Sequence, residues 1–298
     1  MVGQPVTVET IAAALRELGL GAGDKIVMHS DLRALAKPRV LVKMSNTGMD
    51  ALVDGFLKVV GPEGLVCLPT FTKAFAMGLC GDIYDPVETP SRVGSITNLF
   101  RKRPNAVRSL HPTHPWAAIG KDAEAFVAGH DETSTFGRDS ICGRLYDEDA
   151  KIVWFGTTGT TNTATHFPED WLDLPYMTSE DALVKDGDSW KRVTVYRSPS
   201  GPRDFYRNGC KLDALLERWD IQTTGAVHDA TVRVMRARDF LNLLTRALID
   251  DPCLLMKSGV DDAYHTRMYV LVAEHMERMK KLHGGVDGVM AFAGCTKE

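Results

Sequence analysis

One stretch of this chain carries two side chains of the types and spacing that proton transfer needs. Residues 151–176 read KIVWFGTTGTTNTATHFPEDWLDLPY, and the apolar run 152–155 breaks at Gly156 into glycines, threonines and an asparagine. The stretch then delivers His166 and, three residues on, Glu169 beside Asp170. On a helix that spacing makes the two neighbours on one face, so the carboxylate can orient the imidazole and raise its basicity, giving a general base that works near neutral pH. On a loop the same spacing has no such meaning. A strand–turn–helix crossover with incidental polar residues therefore stands beside the catalytic reading.

Three other clusters have chemical potential, each with a plainer alternative. Ser109, His111 and His114 lie in a proline-punctuated segment, VRSLHPTHP. H-x-x-H spacing can ligate a metal, but no third or fourth ligand follows at a recognisable interval, and histidines bonded to backbone in a rigid loop explain it equally. His29 and Ser30 end an apolar run without the G-x-S-x-G pattern of a hydrolase nucleophile, which leaves Ser30 as a hydrogen-bond donor or cap. Arg92, Val93 and Gly94 stand where a helix begins, an arrangement of backbone N–H groups and a guanidinium that can hold a phosphate, or simply a capped surface helix with Ser91 as the cap. No GxGxxG or Walker loop is present, which disfavours nicotinamide and ATP binding.

Positioning these groups requires strands and helices in alternation. Helices are expected over 7–18, with Thr7 as N-cap, over 49–60, and from residue 92 or 94 to about 102, and short apolar strands over 25–28, 65–68 and 152–155. This is the pattern of an α/β domain with a largely parallel sheet, in which ligands sit outside the carboxyl ends of the strands. HSDL, PTFT and GTTGTT all occupy that position. Past Pro175 the pattern changes: 190–197 alternates like an antiparallel strand after the turn KDGD, 212–219 is helical, 231–235 is a short strand, and 237–249 and 261–282 are amphipathic helices. There is no internal repeat, low-complexity segment or clear linker, so one domain is expected.

Composition narrows the classes further. Of 298 residues, 44% are hydrophobic and 25% charged, an ordinary globular balance, and a net charge of −4 supplies no basic field for nucleic acid. Six cysteines without CxxC pairs read as reduced thiols in the cytoplasm, and no stretch reaches the roughly 18 apolar residues of a membrane span.

Taken in order, GDKIVMHSDL, GPEGLVCLPTFT, YDPVETPSRVGSITNLFRKRPNAVRSLHPTHPWAAIG, AGH, FGRDSICGRLY, NTATHFPED and GAVHDATVRVMRARDFLN resemble the aminoglycoside 3-N-acetyltransferase family over about residues 6–252. The resemblance implies an α/β/α layered single domain with a mixed central sheet, distinct from the more widespread N-acetyltransferase superfamily. It implies transfer of an acetyl group from acetyl-CoA to an amine of an aminoglycoside or similar amino sugar, with no metal. His166 matches the catalytic histidine and Glu169 its acid. His29, Ser30 and Leu32 would lie by the pantetheine, and Arg92, Val93 and Gly94 would hold CoA, with Ser109, His111 and Phe136 nearby. Asp85, Glu88 and Asp170 are expected to bind a cationic amine. A small-molecule amine partner and a monomer or homodimer complete the expectation. Two rivals are a biosynthetic N-acyltransferase on a nucleotide-linked or other amino sugar, and a non-catalytic CoA-binding relative. The chain departs from the family in having Asp31 after Ser30, a longer and more basic 39–49 stretch, Thr165 before the histidine in place of leucine, and about 45 residues, 253–298, beyond the usual core. These departures leave the acceptor open.

Overall fold

The computed structural model describes residues 7–35, 46–72, 83–159, 162–197, 209–256 and 263–295. The expectations for residues 36–45, for 77–82 of the irregular 77–89 stretch, for Thr160 and Thr161 and for the first two residues of the last long helix lie outside the described residues.

Three short strands, β1 (Lys25–Ser30), β2 (Leu65–Pro69) and β5 (Lys151–Phe155), form the parallel centre of a seven-stranded sheet. Their apolar runs are continuous because both faces are covered. Successive side chains divide between two cores: Val27, Cys67, Ile152 and Trp154 point to one, Ile26, Met28, Val66, Val153 and Phe155 to the other. The second core is closed by α1 (Val8–Glu17), α2 (Asn46–Val60) and α3 (Ser95–Phe100). The first is closed by α4 (Ala123–Val127), α5 (Ile141–Asp147), α6 (His166–Trp171), α8 (Ala237–Asp250), α9 (Ala263–His283) and α10 (Val286–Phe292). The architecture is the expected α/β/α sandwich.

The expectation of a largely parallel sheet is corrected. The order is β3-β4-β2-β1-β5-β9-β8, and only the β1–β2 and β1–β5 pairings are parallel. β3 (Val107–Arg108), β4 (Trp116–Gly120), β8 (Gln222–Val227) and β9 (Ala230–Arg236) add as antiparallel flanks. For the β3–β4 and β8–β9 pairs the reason is connection length: the 109–115 loop and the His228-Asp229 turn are too short for a crossover helix, so each returns the chain as a hairpin. β8 has no strong alternation of its own and, as the edge strand, pairs with β9 alone.

A two-stranded ribbon, β6 (Thr178–Asp186) and β7 (Ser189–Arg197), stands apart from the sheet and turns at Gly187-Asp188 as expected. Ala182, Val184, Val193 and Val195 form its buried face, and Tyr84 bridges to Val184. Lys185 to Asp85 and Lys191 to Asp131 pin it to the neighbouring loops at 2.9 and 2.7 Å. α7 (Gly209–Trp219) follows the ribbon. α9 and α10, from the 253–298 segment, bury Val272, Met276, Met279 and Val289 in the first core. No helix among the described residues is long and apolar enough to cross a membrane.

Candidate active site

β2, β1 and β5 lie side by side, so their carboxyl ends bring Pro69, Ser30 and Phe155 to one edge of the sheet, with the chain leaving β1 in different directions on its two sides. Such a switch in strand order opens a crevice. After β5 the backbone turns at Gly156, whose φ of 66° and close approach to Asp31 O leave no room for a side chain. A 3₁₀ turn (Thr163–Thr165), with Asn162 accepting the Ala164 N–H, then runs directly into α6.

α6 starts at His166, so the three-residue spacing to Glu169 is helical. His166 Nδ1 donates to Glu169 Oε2 at 2.5 Å, and Tyr176 Oη donates to the other carboxylate oxygen, Oε1, at 2.9 Å. Glu169 is 2% exposed, while the His166 side chain retains 13%. With Nδ1–H committed to the carboxylate, the neutral ring carries its lone pair on Nε2. Tyr176 is a residue that sequence reasoning missed. It lies seven positions beyond Glu169 and past the helix end, where no periodicity connects the two.

The His166 ring is held from its face as well. Phe136 stacks on it with centroids 4.9 Å apart and planes 25° apart. Two groups of α6 fix Phe136: Trp171 Nε1 donates to its carbonyl at 2.9 Å, and Asp170 accepts the Ser134 hydroxyl and the Phe136 backbone N–H. Burial, against those hydrogen bonds, pushes the Asp170 carboxyl up to about 6. From Phe136 a row of rings continues through His114 (5.1 Å), Phe71 (4.7 Å) and Trp116 (5.4 Å) to His29 (6.1 Å). The structure thus places His29, Phe136 and His166 along one wall.

The remaining predicted residues fall at three depths. His29 is buried at the end of β1, its pKa lowered to about 4 by desolvation, and its Nε2 has no hydrogen-bond partner among the described residues. Ser30 and Leu32 are half-buried beside it, and Asp31 forms an exposed pair with Arg33. Arg92 and Val93 are exposed, and Gly94 caps α3 at φ 135° with no side-chain bond. The Arg92 N–H is already donated to Phe71 O at 2.8 Å. Ser91 does not cap the helix as expected; its hydroxyl pairs with Thr97 Oγ1 at 2.6 Å. A second missed residue, Arg108, ties this segment down by donating to Thr70 O at 2.7 Å and to Thr89 O at 2.6 Å.

Ser109 and His111 lie inside the wall. The backbone N–H groups of Thr113 and His114 donate to His111 Nδ1, so its Nε2–H donates to Thr135 Oγ1 at 2.9 Å. Ser109 donates to His130 Nδ1 at 3.2 Å, and His130 Nε2–H donates to the Thr135 carbonyl at 3.0 Å. Burial holds His111 well below the usual imidazole range and His130 at about 4. The alternative of histidines bonded to backbone in a rigid loop therefore accounts for His111. Among the described residues no group of three or more His, Cys, Asp or Glu could hold a metal ion.

Of the expected amine-binding carboxylates, Asp85 is occupied: it accepts the N–H groups of Val87 and Glu88 and the Lys185 ammonium, which together hold its pKa down. Asp170 is turned toward the 134–137 turn, and Glu88 is exposed. The Gly156 N–H at the end of β5 is donated to Thr231 O at 2.8 Å and so faces the sheet rather than a ligand.

His166, oriented by Glu169, thus stands beyond the carboxyl ends of the parallel strands of an α/β/α scaffold, where ligands sit in such sheets. The profile of the aminoglycoside 3-N-acetyltransferases matches residues 27–249, and the chain belongs to that family. It is an acetyltransferase, and acetyl-CoA is the acyl donor its family uses. Aminoglycoside N(3)-acetyltransferase IV of a Salmonella species is 26% identical over 251 residues, 81% of this chain and 87% of its own length. Aminoglycoside N(3)-acetyltransferase VII of Streptomyces paromomycinus is 28% identical over 221 residues, 67% of this chain and 74% of its own. Among solved structures, AAC-IIIb in a binary complex with CoASH superimposes with a TM-score of 0.71 at 20% identity, over 82% of this chain and 96% of that one. That likeness concerns the fold.

Proposed function

We propose that this chain moves an acetyl group from acetyl-CoA to an amine of an aminoglycoside or similar amino sugar, with His166 as general base. The observation that carries the proposal is the His166 Nδ1–Glu169 Oε2 bond of 2.5 Å, backed by Tyr176. An ammonium has no lone pair with which to attack a thioester, so the acceptor nitrogen must shed a proton. A neutral imidazole with its Nδ1 proton held by a buried carboxylate takes that proton at Nε2, and Glu169 stabilises the imidazolium that results. The nitrogen sheds two protons on its way from ammonium to amide: as the carbon–sulfur bond breaks, one passes from Nε2 to the departing thiolate and the other leaves to solvent.

Acetyl-CoA, when bound, supplies an activated acyl thioester. His29, Ser30 and Leu32 at the end of β1 would flank its thiol arm, and the unpartnered Nε2 of His29 fits an amide or hydroxyl of that arm. Phe136 would both line the arm and hold the His166 ring, and Arg92 to Gly94 would meet the phosphates. Ser109 and His111 act from one layer beneath, by shaping the wall. Glu88 is the expected carboxylate whose charge faces solvent, with Asp85 and Asp170 positioning their own loops.

Free-thiol release from acetyl-CoA, measured against a panel of amines that includes aminoglycosides and nucleotide-linked amino sugars, tests the reading. Turnover that requires an amine and falls about 10²- to 10⁴-fold in His166→Ala is expected. Near-normal transfer by that variant would sink the assignment of the base. CoA binding without turnover on any amine would favour a silent relative.

A further inference from the structure

α8, in the family core, and α10, beyond it, enclose a groove of about 1140 Å³ that shares no residue with the acyl-transfer site. Its apolar lining comes from Ile221, Leu243 and Met290. Above that lining stand Arg238 and Asn242, four residues apart and therefore on one face of α8.

Both present donors without acceptors. Asn242 is 8% exposed; its Oδ1 accepts the Tyr146 hydroxyl at 2.6 Å, which orients Nδ2 the other way, and Nδ2 has no partner among the described residues. The buried Nε–H of Arg238 has none either. Arg238 Nη2 donates to the Asp147 carbonyl at 2.9 Å, and no carboxylate pairs with its guanidinium among the described residues. The neighbouring charges are already matched: Arg236 bonds Asp149 through Nε at 2.7 Å and lies 3.8 Å from Asp239, and Arg246 lies 3.5 Å from Asp287. One unmatched cation and one unmatched amide, side by side over an apolar lining, call for acceptor oxygens on an apolar body.

We propose that this groove is a second ligand site, for a small amphiphilic anion whose carboxylate, sulfonate or phosphate oxygens receive the Arg238 Nε–H and the Asn242 Nδ2–H. The apolar body of the ligand lies on Ile221, Leu243 and Met290. The Tyr146 ring, bonded to Asn242, packs edge-on against Trp171 of α6 at 5.5 Å, so the site backs onto the helix that carries His166.

The test is a fluorescence titration of the full chain with 8-anilinonaphthalene-1-sulfonate, followed by displacement with phenyl phosphate. Saturable binding of one equivalent is expected, displaced by phenyl phosphate and weakened about tenfold in Asn242→Leu and in Arg238→Met. Melting temperatures of the variants report whether each still folds, and Arg238→Met, which removes bonds to two carbonyls and a 5.7 Å approach to the Tyr146 ring, stands in should Asn242→Leu fail to fold. Absence of saturable binding by the unaltered chain overturns the proposal. So does binding that remains at full strength in the folded variants, which would place the probe elsewhere.

Discussion

Tyr176 donates its hydroxyl proton to Oε1 of Glu169 at 2.9 Å, and the carboxylate it holds is the one whose other oxygen grips Nδ1 of His166. The imidazole is thus oriented through a relay that ends on a residue outside the helix carrying both partners. Removing the phenol leaves the carboxylate buried with one oxygen less well satisfied and its rotamer less well defined.

Tyr176→Phe should therefore lower kcat about tenfold, with KM for the acetyl donor near its original value, since hydrogen bonds to charged groups contribute about 1.5–3 kcal/mol. Glu169→Gln should be more harmful, because it removes the charge that stabilises the imidazolium. Steady-state kinetics would decide it; an unchanged kcat in Tyr176→Phe would rule out the relay.

α9 reaches the same helix from the far side. His275 Nε2 bonds the carbonyl of Leu172, the C-cap of α6, at 2.9 Å, so a segment beyond residue 249 steadies the element that carries His166. His275→Ala should cost about 1 kcal/mol of stability and lower kcat severalfold well below the melting temperature. His275→Gln, whose amide can donate to the same carbonyl, should recover much of it. Equal kcat in Ala, Gln and the original chain would separate α9 from catalysis.

Asp170 makes a pH signature. Its carboxyl is pushed up to about 6 from 3.8, so between these values the folded chain holds a proton that the unfolded chain releases. The sign follows from linkage: lowering the pH through 6 toward 3.8 stabilises the fold at this site, and the ionised form is a cost above about pH 6. Asp170→Asn removes the titration while keeping an acceptor for Ser134. Relative to the unaltered chain, its melting temperature should be higher at pH 8, with the gap narrowing at pH 5. A gap that does not change with pH would contradict the burial of that charge.

Gly156 should tolerate nothing larger. An alanine there would hold φ at 66°, costing about 1–2 kcal/mol, and its Cβ would meet Asp31 O at 2.5 Å and Ala34 Cβ at 2.6 Å. Thermal denaturation of Gly156→Ala should show a clear fall in melting temperature with loss of transfer, because the turn leads into the loop that delivers His166. A variant as stable as the original would show that the turn can open.

By itself the sequence determined the apolar strands at 25–28, 65–68 and 152–155, the Thr7 cap and the pairing of His166 with Glu169, because strand burial, capping and helical spacing are local properties. The ordered motifs also determined the family. Tertiary structure alone decided the rest. It decided that the flanking strands run antiparallel, since direction depends on where a short connection can dock. It decided that Asp85 and Asp170 hold loops, that His111 is sealed in a wall, and that the Gly156 N–H is spent on Thr231. Each of these rests on a partner between 24 and 100 residues away, which leaves no trace in residue type or spacing. Tyr176 and His275 belong with them: both act on α6 from beyond its ends, through contacts that exist only once the chain has closed on itself.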